Sequence, residues 1–394
     1  MFGVASIKAT AQPVTVPSID AKQLPPINTV LNRIWGGDLD SFYNKLKQLK
    51  QGYNKVVRIV HIGDSHIQAD FLSGEIRSGL QQAFGNAGRG LVFPYQVART
   101  NAPQDIFSSS DNIWQSNRLI RTTDSFACGI SGFCIQCKRT GAAFTLTVQS
   151  SPVDTSSFNR MDLFTDSITG TSWLIKAGEN KLYFAGRDTS GVLPLTVNLP
   201  LAASSFTLTS LLPDTLRSFY GVSLQRNTSG ILYHTIGVNG AKYQHYNNTP
   251  LFWRQLPSLQ ADLFIVSMGT NEAQALRFDE PAFLYEVEQL IQKLKSASPG
   301  AAIIITTAAD SYKGKYPNKV LQQLNTSLYK YCAAKQIALW DLYRATNGYG
   351  AARHWVRLGL MQPDKIHFKS AGYQIMGDLF LQALLNGYNR FVSN

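Results

Sequence analysis

The sequence predicts an α/β protein: a doubly wound parallel sheet interrupted by an inserted all-β sandwich or jelly roll. Three observations carry this. Short runs that are apolar throughout, such as "VVRIVHIG" and "AAIIITT", suit strands buried on both faces of a parallel sheet. Each is followed by apolar residues at helical spacing, the alternation of β and α units typical of doubly wound sheets. Between residues 121 and 229 the rhythm changes to strict apolar–polar alternation with no helical stretch, and parallel-sheet signals stand on both sides of it.

Taken in order, residues 1–26 lack periodicity and read as a tail or signal remnant. The run Ala9-Thr10-Ala11 resembles a cleavage site, although the basic start and long apolar centre of a full signal are missing. Leu31, Ile34, Trp35, Phe42, Leu46 and Leu49 follow at near-helical spacing and predict one or two packed helices. Val56 to Gly63 is the first buried strand, and Phe71, Leu72, Ile76, Leu80 and Phe84 place a helix directly after it. Residues 27–120 thus form the first part of the α/β domain. The segments "AAFTLTVQS", "SWLIKAG", "NKLYFAG", "LPLTVNLP", "SFTLTSLL" and "FYGVSLQR" make up the insertion at 121–229, the alternative being an extended β portion of the same domain. Residues 230–394 return to the first rhythm. "DLFIVSMGTNE" is a strand, Asp279-Glu280-Pro281 opens a helix, "AAIIITT" and "IALWDLY" are further strands, and a last helix starts near Ser370.

Composition narrows the function. The formal charge of +12 is spread one or two residues at a time, with no basic block and no nucleic-acid module, so a solvated surface is read in preference to a nucleic-acid partner. No run of 18 apolar residues is present to span a bilayer. Cys134 and Cys137 have half of a metal or redox spacing, but no second Cys/His pair follows; a structural disulfide within Cys128, Cys134 and Cys137 is expected, with Cys332 buried apart. Trp173, Tyr183 and Tyr220 fit contact with sugar and core packing equally well.

The chemistry lies in "GDSHIQADF". A serine where a strand meets a helix is lifted from the carboxyl edge of the sheet, with its own N–H near a helix N-terminus, although Gly-Asp-Ser is also an ordinary capping turn. An activated serine needs a base and a group that fixes the base's tautomer. Among six histidines, Asp364 and His367 supply both parts within one turn. Asp64 and His66 are read as lining the site, and His61 and His234 as core or edge histidines. Gly240, in "TIGVNGAKY", offers an unobstructed N–H, and Asn271, in "SMGTNE", a side-chain amide, each after a predicted strand.

In that order "GDSH", "GVNGA", "GTNE" and "DKIH" resemble the four blocks of the SGNH (GDSL-like) hydrolase family. The resemblance implies a flavodoxin-like α/β fold, Ser65 as nucleophile and first oxyanion donor, Gly240 and Asn271 as the other donors, and Asp364 and His367 completing the triad. It implies no metal and no cofactor. The third block departs from the family's usual Gly-x-Asn-Asp by carrying Glu272, which leaves the role of that acid open. "GDSHIQADF", "GNAGRGLVFPY" and "GVSLQRNTSGILYHTIGVNGA" resemble more closely the bacterial peptidoglycan O-acetylesterases that carry a carbohydrate-binding-module-like β insertion. That branch implies an exported, periplasmic acetylesterase acting on the 6-O-acetyl group of N-acetylmuramic acid in peptidoglycan. Left open are another carbohydrate or lipid ester, O-acetyl transfer to a glycan, a non-catalytic glycan-binding role, and the oligomeric state.

Overall fold

The computed structural model describes residues 12–18, 27–121, 126–149, 157–166, 170–186, 191–211 and 216–394. One six-stranded sheet has the order Ile34–Trp35, Ala338–Trp340, Ala302–Thr306, Leu263–Ser267, Val56–Gly63 and Gly230–Gly237. All neighbours in it are parallel except Ile34–Trp35, which lies antiparallel on the edge. With Val56–Gly63 counted first along the chain, the parallel order is 2-1-3-4-5, that of a flavodoxin-like sheet. The fold class expected from sequence is the one observed.

Beside a two-stranded hairpin, Tyr312–Lys313 with Tyr316–Pro317, two larger sheets are antiparallel. One runs Asn180–Gly186, Gly170–Ala177, Ser205–Ser210, Ala143–Val148, Ile106–Ser109; the other runs Leu195–Ala203, Phe158–Thr165, Arg217–Gln225, Phe133–Cys137, Gln115–Arg118, with Gly90–Val92 also pairing to Arg217–Gln225. The whole insertion lies in the crossover between the paired parallel strands Val56–Gly63 and Gly230–Gly237. Antiparallel pairing begins ahead of residue 121, because "IFSS" and "QSNR" are too short and too polar to show alternation. The sandwich core is continuous with one face of the parallel sheet, since Val60, Ile62 and Ile236 pack in the same cluster as Phe133, Phe144 and Phe219. The opposite face is covered by the helices Asp40–Lys50, Phe71–Phe84 and Ser370–Ser393.

Three expectations are corrected or bounded. Leu31, Ile34 and Trp35 are not helical: Gly36 and Gly37 turn the chain through φ of 61° and 64°, and Ile34–Trp35 pairs with Leu339 and Trp340. Cys134 and Cys137 form no bridge with each other and are buried thiols. They lie on one strand, where three residues separate them by about 10 Å, beyond what a disulfide spans. Trp173 and Tyr220 are core residues of the sandwich, while the side chain of Tyr183 and the Ala9-Thr10-Ala11 run lie outside the described residues. Among the described residues no helix is long and apolar enough to cross a membrane.

Candidate active site

The parallel strand order reverses between Val56–Gly63 and its two neighbours, and ligands of such sheets bind beyond the carboxyl ends at that reversal. Ser65 and Asn271 follow the two strands there, and Gly240 follows the third. Ser65 opens a four-residue helix, Ser65–Gln68, which is capped by Asp64: its Oδ1 accepts the His66 N–H at 3.0 Å. The helix lies against Gly237, where any Cβ would fall 2.3 Å from the Gln68 nitrogen, so this close approach requires glycine.

The structure joins three of the expected residues in one chain of hydrogen bonds. Ser65 Oγ is 3.1 Å from His367 Nε2, and His367 Nδ1 is 2.8 Å from Asp364 Oδ2. With the Nδ1 proton directed to Asp364, Nε2 is left as an acceptor for the serine hydroxyl. Asp364 Oδ1 accepts the N–H groups of Ile366 and His367 at 2.9 and 3.0 Å. Partial burial works to raise the Asp364 pKa, but the bond from His367 and those two N–H groups outweigh it and hold the carboxyl below its ordinary value. The turn itself is pinned from outside: the Tyr312 N–H donates to the Lys365 carbonyl at 3.0 Å, and the Lys365 ammonium sits 4.8 Å from the Tyr312 ring centroid. The side chains of His367 and Asp364 are 43 and 46% exposed, so the site opens to solvent at the histidine side.

Gly240 adopts φ of 82°, which favours glycine, and its N–H and that of Ser65 have no hydrogen-bond partner among the described residues. Asn271 Nδ2 donates to the Ala241 carbonyl at 2.9 Å and reaches Asp64 Oδ2 at 3.4 Å. One amide therefore ties the loop after Gly230–Gly237 to Asp64, the cap of the helix that Ser65 opens. Asp64 is buried, and burial pushes its pKa up to about 7 against the opposing bond from His66. It is therefore partly protonated near neutrality, which weakens the negative charge in the neighbourhood of Ser65.

Glu272, the departure from the usual third block, is held in place by a visible role. Its Oε1 accepts the Tyr243 N–H at 2.8 Å, fixing the chain three residues after Gly240, and burial raises its pKa to about 7. His66 turns away from Ser65: its ring stacks on His367 at 5.5 Å between centroids and its Nδ1 lies 2.9 Å from the Tyr373 hydroxyl. Burial first, then the nearby His367, lower its pKa to about 3, so it stands beside His367 as a neutral neighbour.

Sequence reasoning passed over Gln68, Tyr312 and Tyr373. Gln68 is buried; its Oε1 accepts the Asn239 N–H at 2.7 Å, and its Nε2 donates to Thr100 Oγ1 and the Asn101 carbonyl at 2.9 and 2.8 Å. It thereby sets the residue before Gly240. The other expected histidines are accounted for: His61 bridges the Tyr233 and Ser267 hydroxyls at 2.7 Å each, and His234 is buried with both ring nitrogens unpartnered among the described residues. Among the described residues no group of three or more His, Cys, Asp or Glu is placed to hold a metal.

No curated protein sequence matches the chain. A peptidoglycan O-acetylesterase structure superposes with a TM-score of 0.77 at 21% identity, over 91% of this chain and 99% of that one. A lipase/acylhydrolase from Enterococcus faecalis matches 41% of this chain and 77% of its own at 19% identity and a TM-score of 0.30. A family two carbohydrate esterase from Clostridium thermocellum, in complex with cellohexaose, matches 71% and 99% at 11% identity and a TM-score of 0.32. The sequence model of the GDSL-like Lipase/Acylhydrolase family matches residues 196–375, which include Gly240, Asn271, Asp364 and His367 while Ser65 lies across the insertion. The chain is thus similar to the GDSL-like Lipase/Acylhydrolase family over residues 196–375 and has the fold of the peptidoglycan O-acetylesterase structure.

Proposed function

We propose that this protein is an exported acetylesterase that removes 6-O-acetyl groups from N-acetylmuramic acid in peptidoglycan, with Ser65, His367 and Asp364 as its triad. The observation that carries the ester chemistry is the continuous hydrogen-bonded chain Ser65–His367–Asp364. The glycan substrate is supported by likeness to a peptidoglycan O-acetylesterase over nearly the full length of both chains, insertion included.

In this reading His367 Nε2 takes the Ser65 proton as Oγ attacks the acetyl carbonyl, and Asp364 stabilises the imidazolium that forms. The carbonyl oxygen becomes an oxyanion held by the N–H groups of Ser65 and Gly240 and by the Asn271 amide, whose long contact to Asp64 is the one most readily exchanged. Collapse expels the sugar hydroxyl, which receives its proton from His367. Water deprotonated by the same imidazole then cleaves the acetyl-serine, releasing acetate and restoring Ser65. The neutral His66 packed on His367 adds no repulsion to the positive imidazole, and the protonated form of Asp64 adds none to the negative oxygen.

The test is acetate release from O-acetylated peptidoglycan by the wild type and by Ser65→Ala, with a short-chain chromogenic acetyl ester in parallel. Release by the wild type and none above background by the variant is expected. Ser65-dependent cleavage of the small ester with peptidoglycan untouched would remove the proposed substrate, and activity independent of Ser65 would remove the mechanism.

A further inference from the structure

A cleft of about 490 Å³, within the range of ligand sites, runs along the helix Phe71–Phe84 where that helix faces the β sandwich. Its walls come from both parts of the fold: Phe71 and Ser78 from the helix, Gln374 from the last helix, and Gln104 and Gln149 from the insertion. Gln82, Gln104, Gln149 and Gln374 are exposed, and their side chains have no hydrogen-bond partner among the described residues. Four amides thus converge on one cleft, each able to donate and to accept as a sugar hydroxyl does.

Of the charges lining the cleft, those of Asp70, Arg77 and Asp105 are matched, while Glu75 adds an acidic group with no ion-pair partner among the described residues. Arg77 donates to Asp70 at 2.6 Å and lies 3.8 Å from Asp105, which is also held by Arg89. The paired guanidinium does not recruit phosphate or another anionic polymer, and amides beside a half-buried aromatic ring suit a neutral polyol with an apolar ring face. The cleft is also connected to the triad. The Phe71 ring stacks on Tyr373 at 6.1 Å and 6°, Tyr373 meets His66 at 5.8 Å, and His66 stacks on His367 at 5.5 Å.

We propose that this cleft binds the neutral sugars of the glycan strand flanking the residue whose ester is cleaved, so that the insertion forms one wall of a polymer-binding groove. The proposal rests on the glycan-esterase reading above. It assigns Gln149 and Gln374 to substrate specificity, acting on polymer and not on a small ester.

The experiment compares the full-length protein with the double variant Gln149→Ala/Gln374→Ala and with Ser78→Trp, which fills the cleft from the exposed face of the helix. Each is assayed on O-acetylated peptidoglycan and on the chromogenic acetyl ester. In a Ser65→Ala background each is also assayed for co-sedimentation with insoluble peptidoglycan. The expected result is a loss of about tenfold or more in kcat/KM on the polymer and a matching loss of binding, with the small-ester rate unchanged. Unchanged polymer binding in both variants overturns the proposal whether or not the protein proves to be a glycan esterase. If cleft-dependent binding is found with no acetate release, the cleft stands and the esterase reading falls. A binding loss in Tyr285→Ala with the cleft variants unaffected overturns the proposal too, placing the strand in the cavity of about 300 Å³ beside Lys242, Phe278 and Tyr285.

Discussion

The carboxyl edge of the parallel sheet and the seam between that sheet and the sandwich are built in opposite ways. At the edge, His367 and Asp364 are nearly half exposed and are held by a turn of a few hydrogen bonds. At the seam, Asp70, Arg77 and Arg89 are buried and paired through the Asp70 carboxylate, with Thr235 and Ser73 as further donors to it. The difference separates two tasks: the seam fixes the two parts of the fold together, and the edge leaves His367 and Asp364 open to solvent. Gln68 belongs to both, since one side chain holds Asn239 before Gly240 and the loop at Thr100 and Asn101 leading into the insertion.

The largest expected effect lies in the seam. Asp70 adopts φ of 60°, an uncommon conformation for a residue other than glycine, and persists because four side chains bind it. Burial alone would raise its pKa, but Arg77 and Arg89 outweigh this and bring it to about 2. Asp70→Ala leaves two buried guanidinium groups without their shared partner and is expected to cost about 3–5 kcal/mol of stability. Urea denaturation measures this, and the activity per folded molecule should change only a few-fold. A large loss of turnover at unchanged stability would erase the division between seam and edge.

A substitution at the edge should do the reverse. Asn271→Ala removes one proposed oxyanion donor together with the tie to Ala241, and turnover is expected to fall about 100- to 1000-fold. The melting temperature should move by no more than a few degrees, because the residue is only partly buried. Steady-state kinetics on the small acetyl ester and a thermal melt suffice. A variant that unfolds would show that Asn271 is structural in the first place, and the edge would then share the seam's task.

Much of this was legible in the sequence because the parallel strands are buried on both faces and so are written as unbroken apolar runs. The helix Glu280–Ala297 begins where Asp279 and Pro281 announce it, with Asp279 accepting the Ala282 N–H. What escaped has a common physical cause. The strands Ile106–Ser109 and Gln115–Arg118 are short and take their partners from elsewhere in the insertion, so their own residues carry little pattern. Tyr373 meets His66 across 307 residues and Gln68 meets Asn239 across 171, and no local spacing encodes either contact. Leu31, Ile34 and Trp35 imitate a helix because their spacing is right, but two glycines in the left-handed region let an edge strand win.

The smallest effect concerns the histidines, and it sharpens the comparison through pH. His61, His66 and His234 are each pushed by burial to about 3, below the ordinary value, so the fold holds them neutral. Their contribution to stability is complete above about pH 6.5 and is lost as the pH falls from there toward 3. Burial raises Asp64 and Glu272 to about 7 and Asp310 to about 6, so their contribution is complete below about pH 4 and fades as the pH rises through those values. His61 is bonded at both nitrogens and should not be replaced without loss, whereas His234, on the sandwich side of its strand, has no partner at either. His234→Phe should therefore raise stability by about 1 kcal/mol at pH 7.5 by removing a buried unsatisfied group. It should also flatten the acid limb by up to about 1.4 kcal/mol per pH unit, the slope of one proton. Urea midpoints at pH 5 and 7.5 read both quantities. A variant less stable than the wild type at pH 7.5, with an unchanged acid slope, would mean that the imidazole is satisfied in solution, and the seam would then be as fully paired at His234 as it is at Asp70.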